Sequence, residues 1–218
     1  ANMPNFRAVT ISLMEGSTGR QRVPSDVFAG GLHIPLPPLP EQRRIAEILS
    51  TVDEQIQQTD EIIKETKELK KGLMQDLLHK GIGHSEFKEM YIGPKRSTLP
   101  VDWDVVQLGE IADIQSGSTP KRSNEEYWDN GTIPWIKSGE FNDGVVSKTE
   151  EYITEKALQE SGCVVFPQGT LLIALYGKGT VSKTARLGID ATTNQAIAGL
   201  LPESGGFDPR YLQYYLID

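Results

Sequence analysis

From Glu41 to Lys80 the chain runs forty residues without a proline and with a single glycine, Gly72. Glu, Lys, Gln, Ile and Leu dominate this run, and all are compatible with helix. Ile45, Leu49, Val52, Ile56, Thr59, Ile63, Thr66, Lys70, Leu73 and Leu77 are spaced by alternating fours and threes, the seam of a heptad repeat. Thr59, Thr66 and Lys70 interrupt the seam, and Ile62 and Leu69 beside them broaden it. A helix of about 40 residues is about 60 Å long. It cannot bury an apolar stripe by itself, and the chain holds no second run of comparable length. The pattern therefore predicts that Ile45, Leu49, Val52, Ile56, Ile63, Leu73 and Leu77 pair with a helix from outside this chain. Glu and Lys are mixed almost equally on the polar face, which favours helix pairing over a membrane-surface role.

The flanks of the helix are sharply marked. Before it stands Ile34-Pro-Leu-Pro-Pro-Leu-Pro40; four prolines in seven residues forbid helix and favour a stiff, extended segment. Pro37 and Pro38 could serve as a ligand for an aromatic groove, but a rigid domain-to-helix joint over residues 35–40 is the reading adopted. Gly81-Ile-Gly83 and Gly93-Pro94 mark a stop and a linker over residues 81–96. Residues 1–34 read as the end of a mixed domain: Phe6–Met14 is apolar but too short to classify, and Glu15–Arg22 is a Gly/Ser/Thr loop tipped by two arginines. Beyond Leu99 the pattern is mixed α/β. Strands are expected at Val105–Ile114, Thr132–Ile136, Cys163–Phe166 and Thr170–Leu175, apolar small-residue packing at Ala191–Leu201, and helices at Glu155–Glu160 and Pro209–Ile217. The fold class expected is α+β, a β-rich mixed α/β domain with one long α-helix.

A net charge of −8 argues against a phosphate-bearing partner if read as a sum. Its distribution says more. Residues 1–40 carry +1, 41–80 carry −2, 81–96 carry +1 and 97–218 carry −8. Within that last block, Ser161–Ile189 holds Lys178, Lys183 and Arg186 and no acid. The acids cluster instead around Asp102–Asp113 and Glu125–Glu160, leaving room for a local positive face. Four basic loops are candidate DNA contacts: Arg20, Gln21 and Arg22; Lys121 and Arg122; Lys137 and Ser138; and Tyr176, Lys178, Thr180, Lys183 and Arg186. Arg and Lys bond guanine edges or phosphates, Gln bonds adenine, and Ser or Thr beside glycine lets backbone amides approach phosphates. The competing reading makes these solvated turn residues. Asn194 and Gln195 lie in an apolar context and are expected to satisfy backbone groups inside the fold. Trp135, with Ile133 and Ile136 beside it, is expected to anchor the core rather than stack on a base, and the same holds for Trp103 and Trp128.

Catalytic motifs are missing. Gly177-Lys178-Gly179-Thr180 resembles part of a phosphate-binding loop, but Leu172 stands where its first glycine belongs and Gly179 where Ser or Thr should follow the lysine. No dinucleotide fingerprint and no Asn-Pro-Pro-aromatic tetrapeptide occurs. One cysteine, Cys163, and three scattered histidines supply no metal-ligand set. No cofactor and no metal are expected. Ala1–Val9 lacks a signal-peptide layout, and no apolar run approaches the roughly 18 residues that span a bilayer. A cytoplasmic protein is expected.

Three stretches together resemble the specificity subunits of type I restriction-modification systems. Ile34–Leu49 is similar to the junction between a target-recognition domain and the family's conserved helix. Pro134-Trp-Ile-Lys-Ser-Gly139 is similar to a segment of the recognition domains, as is Gly169–Gly177 followed by Ala191-Thr-Thr-Asn-Gln-Ala196. The resemblance covers nearly the whole chain. It implies a non-catalytic subunit that reads double-stranded DNA and docks methyltransferase (modification) subunits and, through them, the restriction subunit. The family's layout is recognition domain, helix, second recognition domain, second helix, with the helices paired antiparallel. This chain departs from it, with one helix: residues 1–34 resemble the tail of a recognition domain and 97–218 the front of one. The permuted order fits either a fragment of a longer subunit or a half-sized subunit that completes itself by pairing; pairing predicts a two-fold homodimer through an antiparallel coiled coil, each front meeting the other copy's tail and the pair reading a bipartite target. The alternative is an assembly protein whose coiled coil gathers partners and whose β-rich domain binds protein.

Overall fold

In the computed structural model, residues 6–16, 19, 22–25, 28, 34–202 and 206–217 are described. They divide into two compact units, residues 1–64 and 65–218. Of the arginine-tipped loop expected to contact DNA, Arg20 and Gln21 lie outside the described residues.

In the first unit, helix α1 spans Phe6–Ser12, and Glu15 and Arg22 exchange both backbone hydrogen bonds, at 2.9 and 3.0 Å. Helix α2 spans Leu39–Lys80 and passes from this unit into the second. It starts inside the proline-rich stretch: Pro40 sits in the first turn, where the missing N–H has no intrahelical partner to lose. The Pro38 carbonyl accepts from Glu41 and Gln42 at 2.9 and 3.0 Å, and Gln42 Nε2 donates to the Pro37 carbonyl at 2.6 Å. The helix ends at Gly81, which adopts φ +66°, the left-handed C-terminal position that glycine fills without steric cost. The seven apolar pairing positions, Ile45 to Leu77, are 44–58% exposed. Among the described residues of α2, Leu78 alone is buried.

Among the described residues the second unit is built on three sheets. Strands β1 (Phe87–Ile92) and β2 (Lys95–Pro100) form an antiparallel hairpin, turned by Gly93 at φ +59°. This hairpin occupies much of the stretch read as a linker. The central sheet has the order β3 (Ala112–Ser116), β10 (Ile197–Pro202), β7 (Leu171–Ala174), β8 (Thr184–Leu187), β5 (Val145–Val146). All its pairs are antiparallel except β5 with β8. A three-stranded sheet places β4 (Ile133–Ile136) between β6 (Glu151–Ile153), antiparallel, and β9 (Thr192–Thr193), parallel. Short helix α3 (Leu108–Ile111) precedes β3, α4 is Glu155–Glu160 and α5 is Pro209–Ile217.

Both later helices start on recognisable caps. Thr154 Oγ1 accepts from the Ala157 amide at 3.2 Å. Asp208 Oδ1 accepts from the Arg210 amide at 2.7 Å just before Pro209. Phe166, Leu172, Ile197 and Ile136 form the centre of one buried cluster. Leu171, Leu200 and Leu212 join the sheet to α5 in a second, and Trp135, Ile153 and Ala157 make a third. Trp135 is the core anchor expected: it is buried, donates Nε1–H to the Ser118 carbonyl at 3.0 Å and meets Trp128 edge to face at 5.1 Å.

Two expected strands differ. Val105–Ile114 is not one strand: the Gln107 amide donates to Glu110 Oε2 at 3.1 Å, closing a helical turn over 108–111 before β3 begins. Cys163–Phe166 forms no strand either; Phe166 makes an isolated bridge to Ala191, and Pro167, with no N–H, cannot extend the ladder.

Candidate nucleic-acid interface

Four loops leave the second unit at one end. Strands β4 and β9 run in parallel with Trp135 opposite Thr192, so Lys137 and Asn194 emerge side by side; the Asn194 amide donates to the Ile136 carbonyl at 3.2 Å. The ends of β3 and β7 both meet the start of β10, Ser116 opposite Ala198 and Ala174 opposite Ile197. There the Ser118 amide reaches the Thr193 carbonyl at 2.9 Å and the Leu175 amide reaches the Ala196 carbonyl at 2.7 Å. Loops 117–122, 137–140, 175–183 and 194–196 thus share one end of the fold. Between them they carry five cations, Lys121, Arg122, Lys137, Lys178 and Lys183, and one acid, Glu140. Glu151, opposite Trp135, and Glu150 before it lie at this end too, so it carries five cations and three acids; on a chain of net charge −8 this is still a shift in the direction phosphates require.

The hairpin loop 175–183, between β7 and β8, is a folded turn. Thr180 and Val181 amides donate to the Gly177 carbonyl at 3.2 and 3.3 Å, and Ser182 donates to the Ala174 carbonyl at 2.9 Å. Gly177 adopts φ +130°; a Cβ there would run into Thr180 Oγ1 and stand 3.9 Å from Ser138 Oγ. The glycine therefore lets the loop fold tightly on its own Thr180, beside the 137–140 turn. Tyr176 is exposed at the loop's base, as are Lys178 and Lys183. Among the described residues Lys121, Lys178 and Lys183 make no ion pair.

Three of the other sequence-selected cations, Arg122, Lys137 and Arg186, are occupied. Arg122 pairs with Glu151 and lies over the Trp128 and Trp135 rings, 3.8 and 4.6 Å from their centroids. Lys137 Nζ pairs with Glu151 at 2.7 Å and Glu150 at 3.4 Å. Bonding to Glu151 raises the Lys137 ammonium above its ordinary value despite partial burial. Partial burial alone would raise the Glu151 carboxyl, but the bonds from Arg122 and Lys137 outweigh it and hold the group below the usual range. Arg186, on β8, donates Nε–H to Gln213 Oε1 at 2.7 Å. Arg22 is exposed and lies in the first unit.

Asn194 does satisfy backbone: its Oδ1 accepts from the Ala196 amide at 3.1 Å. Gln195 does not. It is exposed, and its Oε1 accepts from Thr119 Oγ1 across two of the converging loops. Gln195 and Thr119 are thus surface polar groups of this end that the sequence pattern does not reveal, because an apolar neighbourhood in sequence hides an outward-facing turn. Among the described residues no group of His, Cys, Asp or Glu is arranged to hold a metal, and no helix is long and apolar enough to cross a membrane.

Comparison with known proteins gives this geometry a context. The family described as the type I restriction modification DNA specificity domain matches residues 11–68 and 100–218. The specificity subunit of the type I restriction enzyme MjaVIII of Methanocaldococcus jannaschii is 32% identical over 208 residues, 92% of this chain and 47% of that protein. The MjaIX specificity subunit of the same organism is 36% identical over 133 residues, 60% of this chain and 29% of that protein. This chain thus spans less than half the length of either relative. Among solved structures, the S subunit of a type I restriction-modification system from M. genitalium superposes with a TM-score of 0.55 at 19% identity, over 94% of this chain and 48% of that one. That likeness supports the mixed α+β fold with its one long helix.

Proposed function

The chain belongs to the family of type I restriction modification DNA specificity domains, and we propose that it is a non-catalytic DNA-reading subunit of a type I restriction-modification complex. The observation that carries the reading is the convergent loop end: five cations against Glu140, Glu150 and Glu151, with Lys121, Lys178 and Lys183 in no ion pair among the described residues, on a chain of net charge −8. Lys121, Lys178 and Lys183 would meet phosphates as free ammonium groups. Tyr176, Thr180 and Ser138 lie on loops that would present polar groups to base edges. Arg20, Gln21 and Arg22, which belong to residues 1–64, are proposed as separate DNA contacts. Arg122, Lys137 and Arg186 would act by holding the loops in place. The acidic remainder favours weak DNA binding by the chain alone and tight binding in a complex with methyltransferase subunits, through which the restriction subunit joins. The site requires no cofactor, and the complex works in the cytoplasm.

The heptad stripe supports a homodimer paired antiparallel through α2. Seven half-exposed apolar side chains per copy yield ~14 kcal/mol when two copies cover each other, at ~1 kcal/mol for each half-exposed side chain. Association costs ~4–15 kcal/mol, so the stripe's contribution is of the size that pairing requires. Two copies would present two identical loop ends and read a bipartite, two-fold symmetric target.

The alternative, an assembly protein with a protein-binding β-rich domain, predicts no salt-sensitive DNA affinity. Titration of the chain, purified with its methyltransferase, against labelled duplex DNA over a range of salt separates the two. DNA reading predicts a steep linear fall of log affinity with log salt; a flat response favours the assembly protein.

A further inference from the structure

The C-terminal part of α2 does not end on bare solvent. Together with Gly81, Ile82, His84, Trp103 and helix α5 it borders an open apolar groove of about 690 Å³. Leu73, Leu77, Trp103, Tyr211 and Tyr214 are among the residues that line it. Leu73, Leu77, Tyr211 and Tyr214 remain 42–48% exposed, and Ile82 at the lip is 85% exposed. Lys70 Nζ stands over the Tyr214 ring, 5.2 Å from its centroid, and Trp103 is fixed by an edge-on contact with His84, ring centroids 6.0 Å apart. A groove lined by flat aromatic faces and leucines fits a segment that is rich in proline, already extended and uncharged, because such a segment loses little entropy on docking.

The chain contains one such segment. Ile34 to Pro38 lie outside the helix and lead into Leu39 and Pro40, the first turn of α2; the stretch has no charged side chain, and Ile34, Leu36 and Leu39 are 56–74% exposed. We infer that this groove takes the proline-rich segment 34–40 of a second copy of the chain, Leu36 and Leu39 entering between Leu77 and the Trp103 and Tyr214 rings. The inference rests on the homodimer reading and adds where the two copies lock. Charge selects the antiparallel arrangement that brings segment and groove together. Helix residues 39–60 carry two bases and five acids, net −3, and residues 61–80 carry five bases and four acids, net +1. Antiparallel pairing sets −3 against +1 at both ends of the dimer, whereas parallel pairing sets −3 against −3. Antiparallel pairing also places each copy's segment 34–40, at the start of α2, beside the other copy's groove, at the end of α2.

The test uses the full chain carrying Cys163→Ser, Leu36→Cys and Ile82→Cys, treated with a short bismaleimide and run on a denaturing gel, with sedimentation at micromolar concentration alongside. Both new cysteines replace exposed side chains, so the fold is kept. The inference predicts a covalent dimer in high yield. A link within one chain, running as a monomer, overturns it. A dimer by sedimentation with no covalent link overturns the groove assignment and leaves the homodimer standing, while a monomer by sedimentation removes both. Tyr214→Ala alone should raise the dimer dissociation constant about tenfold, as expected for removal of an aromatic anchor; an unchanged constant contradicts the groove.

Discussion

Arg186 donates its Nε–H to Oε1 of Gln213 at 2.7 Å, and Gln213 is 4% exposed. Gln213 Nε2 in turn donates to the Gly144 carbonyl at 3.2 Å and to Thr184 Oγ1 at 3.3 Å. The arginine therefore belongs to a buried polar network joining α5 to β8. Lys178 and Lys183, its neighbours in the same acid-free stretch of sequence, make no ion pair among the described residues.

That contrast separates two classes of variant. Arg186→Ala leaves a buried amide oxygen unpaired and should cost ~1–3 kcal/mol of stability, read as a lower midpoint in urea unfolding. Lys121→Ala, Lys178→Ala and Lys183→Ala combined should leave the midpoint within the ~0.5 kcal/mol typical of each surface change. The same triple variant should weaken DNA binding by the complex and flatten its salt slope by about 0.9 for each phosphate that is no longer neutralised. An unchanged slope removes these lysines from the interface.

Glu151 sets a pH dependence. Its carboxyl is held below its ordinary value in the folded chain, so the folded state binds that proton less readily than the unfolded state. The stabilisation is fully present above the unfolded pKa and fades as pH falls through the folded one. Thermal melts of wild type and Glu151→Gln should differ most at neutral pH and converge in the acid range, below the ordinary carboxylate pKa. A difference that stays constant down to that range contradicts the Arg122–Glu151–Lys137 account.

Gly81→Ala tests the end of the long helix. Alanine is strained at φ +66°, and its Cβ would lie 2.6 Å from the His84 ring and 2.8 Å from the Trp103 ring. A loss of about 1 kcal/mol or more is expected in urea unfolding, together with a change in fluorescence as Trp103 shifts. The same substitution at Gly72, where a Cβ meets nothing within 4 Å, should instead stabilise the helix by up to about 1 kcal/mol.

Val52→Glu with Ile56→Glu places charge in the centre of the heptad stripe. Both side chains are about half exposed in the single chain, so the domain of residues 65–218 should keep its fold. Sedimentation at micromolar concentration should shift from dimer to monomer. Persistence of the dimer would place pairing elsewhere.

Much of this fold is legible in the sequence because its signals are local. A proline-free run with a heptad seam is visible to the eye, and α4 and α5 form where helices are expected, at Glu155–Glu160 and Pro209–Ile217. The hairpin at Phe87–Pro100 is not visible. Its inward positions include Lys88 and Ser97, partly covered, so the alternation of exposure along β1 does not show as alternating hydrophobicity. Val164 and Val165 suggest a strand where backbone pairing, which depends on distant Ala191, allows one bridge. The interface is legible as a set of basic loops and no further. Which cations are tied depends on Glu151, fourteen residues from Lys137 and twenty-nine from Arg122, and on Gln213 beyond them. Convergence of the four loops is a property of strand order, which no local pattern carries.

The central claim, two identical DNA readers joined through paired copies of α2, is tested most directly by mapping methylated sites on genomic DNA after co-expression with the methyltransferase partner. The account predicts one bipartite motif whose two halves are related by two-fold symmetry across a fixed gap. An asymmetric motif, or methylation without regard to sequence, contradicts it.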